Sequence, residues 1–407
     1  MKTLIGPFTQ LLPMSGLHIK GALKDDALTV IPNGGVLVAA GKILTVGTFK
    51  DLKQEANHVQ QLDGEIIAVP GFVDAHTHIC FGGSRARDYA LRNSGKTYLE
   101  IAKAGGGIWD TVLKTREAPE ADLSQGVVKR ANEHLKRGVT TLEVKSGYGL
   151  SVKEELKMLR AIKTAGAKAT PDLIPTCLAA HMPPKDQPGS PRQYLQKLIE
   201  TLLPQIKAEK LTHRIDAFIE ESAFSREEIA PYLKTALAMG FDLTLHADQF
   251  STGGSEIAVK YNAISADHLE ASSDKEITLL ANSNTIATAL PGASLGLGCD
   301  FAPARKLLDA GAALAIASDH NPGSAPMGNL LAQASILGTF QKLSNAEVLA
   351  GITCRAAAAL NLKDRGVLTK GNTADITAFP TGNYQEITYN QGQLLPCAVW
   401  KNGRKVL

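Results

Sequence analysis

Between residues 66 and 365, short apolar runs of β type alternate with longer segments whose apolar positions recur at helical spacing. Eight runs stand out: Gly71–His76, Thr140–Lys145, Leu173–His181, Ile215–Glu220, Asp242–His246, Ala263–His268, Thr285–Leu290 and Ala313–Asp319. Ser151–Ala165, Arg226–Met239 and Asn345–Leu360 carry the helical period. Eight strands with helices between them predict an α/β chain closed into a (β/α)8 TIM-like barrel. The longest gap, after the first run, holds Gly105-Gly106-Gly107 and predicts two helices over the barrel mouth. The two ends have a different rhythm. Val36–Ala40 and Lys42–Val46 flank Gly41, Asn33-Gly34 is a turn signal, and Ala374–Phe379 and Ala398–Val406 are strand-like, the latter with a turn at Asn402-Gly403. They predict a small β-sandwich domain assembled from 1–65 and 366–407 around a barrel domain of 66–365.

Seven of the eight runs stop at a chemically capable residue: His76, Lys145, His181, Glu220, His246, His268 and Asp319. Strand C-terminal ends form the catalytic face of such barrels, and four histidines at these positions exceed ordinary edge polarity. His76 and His78 form an H-x-H pair, which a period of two places on one face of the pleat, able to chelate one ion. His246 and Asp319, over the same mouth, complete a three-imidazole, one-carboxylate set suited to one Zn2+ or Fe ion that keeps room for water. Taken singly, His246 also reads as a packed core histidine, and Asp319 as a cap in Asp-His-Asn-Pro-Gly. His268 is the candidate acid or base, since its ordinary pKa is near neutrality; a fifth ligand and a packed side chain are the alternatives. Lys145 reads either as a carboxylated bridge between two metals or as a lysine paired with a carboxylate, and one metal is expected.

Composition narrows the partner. Of 407 residues 44% are hydrophobic, and 43 Lys plus Arg stand against 40 Asp plus Glu for a formal charge of +3, which excludes disorder and gives no basic surface for nucleic acid or membrane. A small-molecule substrate is expected. Cys80, Cys177, Cys299, Cys354 and Cys397 lack a C-x-x-C pair and are odd in number, against a disulfide framework. Met1–Met14, broken by Pro7 and Pro13, reads as neither signal nor transit peptide, so a cytoplasmic setting is expected, with a homodimer as the commonest assembly of such enzymes.

Pro70-Gly71-Phe72-Val73-Asp74-Ala75-His76-Thr77-His78, with the later His, His and Asp, resembles the amidohydrolase superfamily. More narrowly, Phe81-Gly82-Gly83-Ser84-Arg85, Ala104-Gly105-Gly106-Gly107-Ile108, Glu143 to Leu150, Leu245 to Phe250, Ala266 to Glu270 and Ser318 to Ser324 resemble the imidazolonepropionase family over nearly the whole chain. The resemblance implies metal-dependent hydrolysis of the lactam C–N bond of 4-imidazolone-5-propanoate to N-formimidoyl-L-glutamate in histidine catabolism. It implies metal ligands at His76, His78, His246 and Asp319, and substrate contacts at Arg85, Tyr148, His181, Gln249, Asn321, Gly323 and Ser324. Asp319 and His268 are the expected catalytic pair: Asp319 takes the proton of the attacking water and passes it to the departing ring nitrogen, and protonated His268 or the metal supports the oxyanion, with the main proton carrier of the two left open. His320 departs from the family pattern, where an apolar or aromatic residue is expected; alternation points it away from Asp319, and a competing ligand stays open. A deaminase of a neutral nucleobase would use the same ligands; it would have no need of Arg85, whose planar fork suits a carboxylate. A non-catalytic scaffold would be expected to lack ligands that this chain retains.

Overall fold

The structure, a computed structural model, describes residues 1–96, 100–101, 104–220 and 223–407. Eight parallel strands follow one another around the barrel: β6 (Phe72–Asp74), β7 (Val139–Lys145), β8 (Asp172–Ala180), β9 (Arg214–Phe218), β10 (Asp242–Ala247), β11 (Ser265–His268), β12 (Ile286–Ala289) and β13 (Leu314–Ile316). Each coincides with one of the eight apolar runs, four of them reaching one residue beyond it. β7 and β9 are buried at every position, as strands covered by helices on one side and by the barrel interior on the other must be. The ring closes beyond the ends of β6 and β13. Thr77 and His320 form a parallel bridge, Asp319 N–H donates to His76 O (3.0 Å), His78 N–H donates to His320 O (2.9 Å), and Ser318 N–H donates to the Asp74 carboxylate (2.9 Å). The residues that close the barrel are therefore the neighbours of the chemistry.

The helices start where the sequence supplies caps. Ser151 accepts from Glu154 N–H ahead of Val152–Gly166, and Ser225 with Glu228 makes a reciprocal capping box ahead of Arg226–Ala238. Two expectations are corrected. The segment Asn345–Leu360 is two helices, Asn345–Gly351 and Cys354–Ala359, because the Ile352 carbonyl between them turns to accept Val73 N–H at the first barrel strand. The gap between the first two barrel strands holds three fully described helices rather than two, Ala86–Asn93, Ile108–Glu117 and Glu120–Leu135.

The ends combine in one branched sheet. Its order is β16 (Arg404–Lys405), β15 (Ala398–Lys401), β14 (Ile376–Phe379), β5 (Ile67–Pro70), β1 (Thr3–Leu11), β2 (Ile31–Ala39) and β3 (Lys42–Thr48), with β4 (His58–Gln61) paired to β1. Its core joins Phe8 and Trp400 edge to face at 6.1 Å. The β2–β3 turn is at Ala40-Gly41 (φ 49° and 79°), not at Asn33-Gly34, which lies inside β2 where a Gly34 side chain would strike Leu11 Cβ at 2.5 Å. Asn402-Gly403 makes the expected hairpin. Since β5 pairs with β14 and β1, this sheet extends to Pro70 and the chain enters the barrel at Gly71, a few residues after the boundary expected at 65.

Sheet and barrel meet at Gly138. Its carbonyl accepts Phe72 N–H and the Thr377 hydroxyl (both 2.9 Å), it has φ +88°, and a Cβ there would lie 2.6 Å from Thr377 Cγ2. Gly298 also has positive φ (+69°) with open space around it. Gly138→Ala should cost about 3 kcal/mol by combined strain and overpacking, and Gly298→Ala about 1 kcal/mol from strain alone. Urea unfolding of the two variants checks the difference.

Candidate metal centre and active site

Three imidazoles converge at the mouth. His76 Nε2 is 3.1 Å from His78 Nε2, which is 3.3 Å from His246 Nε2, and Asp319 Oδ1 lies 3.4 Å from His78 Nε2 and 3.7 Å from His76 Nε2. The four expected ligands are thus together and buried. Burial first, then the neighbouring positive charges, push His76, His78 and His246 well below the ordinary histidine pKa, so the rings are neutral. His76 Nδ1 hydrogen-bonds Asp267 Oδ2 at 2.7 Å, which places its proton on Nδ1, and His246 Nδ1 is 2.9 Å from Asp216 Oδ2. Both Nε2 atoms face His78 Nε2, and the buried His78 Nδ1 has no hydrogen-bond partner among the described residues. Neutral imidazoles converging with a carboxylate fit a borderline divalent ion.

Asp216 and Asp267 were not among the expected site residues. Their signal was present in the sequence: an acid inside an apolar strand needs a buried partner. That partner is Lys145. Its ammonium, without solvent access, is 2.7 Å from Asp216, 2.8 Å from Glu143 and 3.9 Å from Asp267, so Lys145 is a paired lysine rather than a metal bridge. Burial opposes its charge, but the three carboxylates outweigh burial and raise its pKa. Asp267 also accepts from Thr244 (3.0 Å), and Arg214 lies 3.9 Å from Glu143.

His268 and Asp319 both have left-handed backbone, φ 92° and 52°. Such strain costs roughly 1–3 kcal/mol per residue and is kept where the surroundings enforce it, as at reactive sites. The His268 ring lies 5.2 Å from that of His246 and 5.8 Å from that of His76. Burial lowers its pKa, but Glu270, 3.4 Å from Nδ1, and Asp319 raise it above the ordinary value. Burial pushes the Asp319 carboxyl up to about 6. Two groups able to exchange protons, both with raised pKa values, face one site.

The expected substrate contacts separate into groups. His181 stacks on His78 (5.7 Å, 21°) and its Nδ1 hydrogen-bonds Gly147 O (2.9 Å), leaving Nε2 toward the mouth. Tyr148 is buried, 6.0 Å from the His78 ring, and its phenol senses both Arg85 and Asp319. Arg85 packs against Gly323, where a Cβ would meet its Nη1 at 2.1 Å. Ser324 lies in the same loop, which Gly296 approaches so closely that a side chain there would collide with the Ser324 carbonyl. Gln249 is half-buried in a loop tied down by Glu220, which accepts Phe250 N–H (2.9 Å) and Ser251 N–H (3.1 Å). Asn321 differs from expectation. Its amide donates to Asp319 O and Ser324 Oγ while its oxygen accepts Gly323 N–H and Ser324 N–H, so its capacity is spent fixing the loop. His320 points outward to His134 (2.9 Å) and is no ligand.

Asp267→Asn or Asp216→Asn should weaken divalent-metal affinity about 10- to 100-fold by loosening ring orientation and tautomer. Competition with a chromophoric chelator measures this on folded protein.

Residues 67–406 match the amidohydrolase family. The chain is 40% identical over 394 residues to imidazolonepropionase of Bacillus cytotoxicus, covering 94% of this chain and 92% of that one. It is 40% identical over 410 residues to imidazolonepropionase of Bacillus mycoides, covering 99% and 96%. Among solved structures it is similar to an atrazine chlorohydrolase from Arthrobacter aurescens complexed with zinc (TM-score 0.73, 17% identity, covering 100% of this chain and 95% of that one). It is also similar to an adenosine deaminase from Xanthomonas campestris with bound zinc (TM-score 0.71, 18% identity, covering 100% and 92%). At these identities the structures speak for the fold, while the sequence relatives speak for the branch. With its eight-stranded barrel, its terminal sheet and its buried histidine cluster, this chain belongs to the amidohydrolase family and, within it, to the imidazolonepropionases.

Proposed function

We propose that the chain hydrolyses 4-imidazolone-5-propanoate, adding one water across the lactam C–N bond to give N-formimidoyl-L-glutamate. The observation that carries this reading is Arg85. Its side chain is 9% exposed, and among the described residues only its Nε has a hydrogen-bond partner, so the Nη edge beside Gly323 and Tyr148 is unspent. A buried, half-satisfied guanidinium near the histidine cluster fits a substrate with a carboxylate arm.

His76, His78, His246 and Asp319 would hold one Zn2+ or Fe ion. That ion supplies Lewis acidity and lowers the pKa of water toward 7. Asp319 takes the proton of the attacking water on the oxygen that faces the histidines. His268 in its charged form, supported by Glu270, donates to the oxygen that becomes negative when the ring carbonyl is attacked. Asp319 then returns the proton to the ring nitrogen as the C–N bond breaks. His181 Nε2 and Gln249 bind the ring edge, Tyr148 covers it, and Arg85, packed against the loop of Gly323 and Ser324, holds the propionate. No helix among the described residues is long and apolar enough to cross a membrane. A cytoplasmic homodimer of chains, each a terminal β domain on a barrel domain, completes the proposal.

Loss of ring ultraviolet absorbance on adding 4-imidazolone-5-propanoate is the direct test, and a chelator should abolish it with recovery on adding metal. A metal-loaded enzyme without turnover would overturn the proposal. Asp319→Asn and His268→Ala should each lower kcat about 10²- to 10³-fold. Arg85→Ala should raise KM with kcat nearly kept, because its grip is common to substrate and transition state.

A further inference from the structure

The Gly105-Gly106-Gly107 stretch has no part in the chemistry described above, yet it lies against the Arg85 end of the site. Arg85 caps the helix Ala86–Asn93, and its Nε donates to Asp88 Oδ2 at 2.8 Å. The same oxygen accepts Gly107 N–H at 2.8 Å. A Cβ on Gly106 would lie 2.3 Å from Asp88 Oδ1, so the backbone reaches Asp88 only because residue 106 has no side chain. Asp88 is itself buried. The helix is fastened further by Arg92 Nη1, which donates to Gly296 O (2.6 Å), and Gly296 packs on Ser324.

We propose that Asp88 is the positioning residue for recognition of the substrate carboxylate. By binding Arg85 through Nε alone it fixes the plane of the guanidinium and leaves both Nη groups for the incoming anion. The Gly107 N–H fixes Asp88 in turn. A carboxylate that took the Nη edge would compete with substrate; one held on Nε aims the edge instead. Asp88 touches neither substrate nor the reacting atoms.

This inference rests on the proposed function, and the experiment separates the two. Kinetics are measured with 4-imidazolone-5-propanoate and with 5-ethyl-4-imidazolone, the same ring without the carboxylate. Asp88→Ala should raise KM for the propanoate about 10- to 100-fold with kcat within about threefold, while kcat/KM for the ethyl compound is unchanged. Asp88→Asn, which keeps shape and one acceptor oxygen, should recover most of the loss and retain a rise of about threefold. In the Arg85→Ala background, removing Asp88 should add nothing. Equal losses on both compounds, or full additivity with Arg85→Ala, would reduce Asp88 to a structural role and overturn the inference. Should Asp88→Ala fail to fold, an unshifted preference in Asp88→Asn overturns it. No turnover of the propanoate by the wild type would overturn the functional reading and this inference with it; turnover with an unmoved preference sinks only the latter.

Discussion

One lysine without access to water organises the catalytic end of the barrel. Lys145 stands amid Glu143, Asp216 and Asp267, and two of these acids reach upward to the clustered histidines. Removing ions from water costs several kcal/mol each unless partners compensate, so the cluster exists only as a set. Lys145 and Arg214 face four carboxylates once Asp319 is counted, and the His268–Glu270 pair adds no net charge. The acids thus outnumber the two cations at this end of the barrel, which suits a site that takes a cation.

The opposite side of the mouth is built on another principle. There, backbone proximity does the work: Gly106 against Asp88, Gly323 against Arg85, and Gly296 against Ser324 are contacts a single Cβ would break. The metal end is rigid because charges demand partners; the carboxylate end is rigid because atoms are packed where no side chain fits. Both ends join at the loop after β13, where Asn321 uses every hydrogen-bonding group to connect Asp319 with Ser324.

Much of this was legible in the sequence. Apolar runs and helical spacing located all eight barrel strands, and polar residues at their ends marked the side chains that meet at the mouth, because a strand terminus in a closed barrel points to one mouth. What periodicity could not convey was interior pairing. Asp267 adjoins His268 and Asp216 lies four residues before Glu220, but their meaning depends on Lys145 from a distant strand. Asn33-Gly34 carried the standard turn signal, yet its glycine serves a close approach to Leu11; the true turn used Ala40, a residue with no left-handed preference. The helix break at Ile352 was invisible because its cause, a hydrogen bond to Val73, lies some 280 residues away in sequence.

The pairing of β5 with β14 has a consequence for biosynthesis. Pro70 lies opposite Ile376, so the edge of β5 that β14 will occupy emerges from the ribosome roughly 15–60 s before its partner, at ordinary elongation rates. Over that interval the nascent chain presents an apolar strand with unmet amide groups, the kind of surface that chaperones shield.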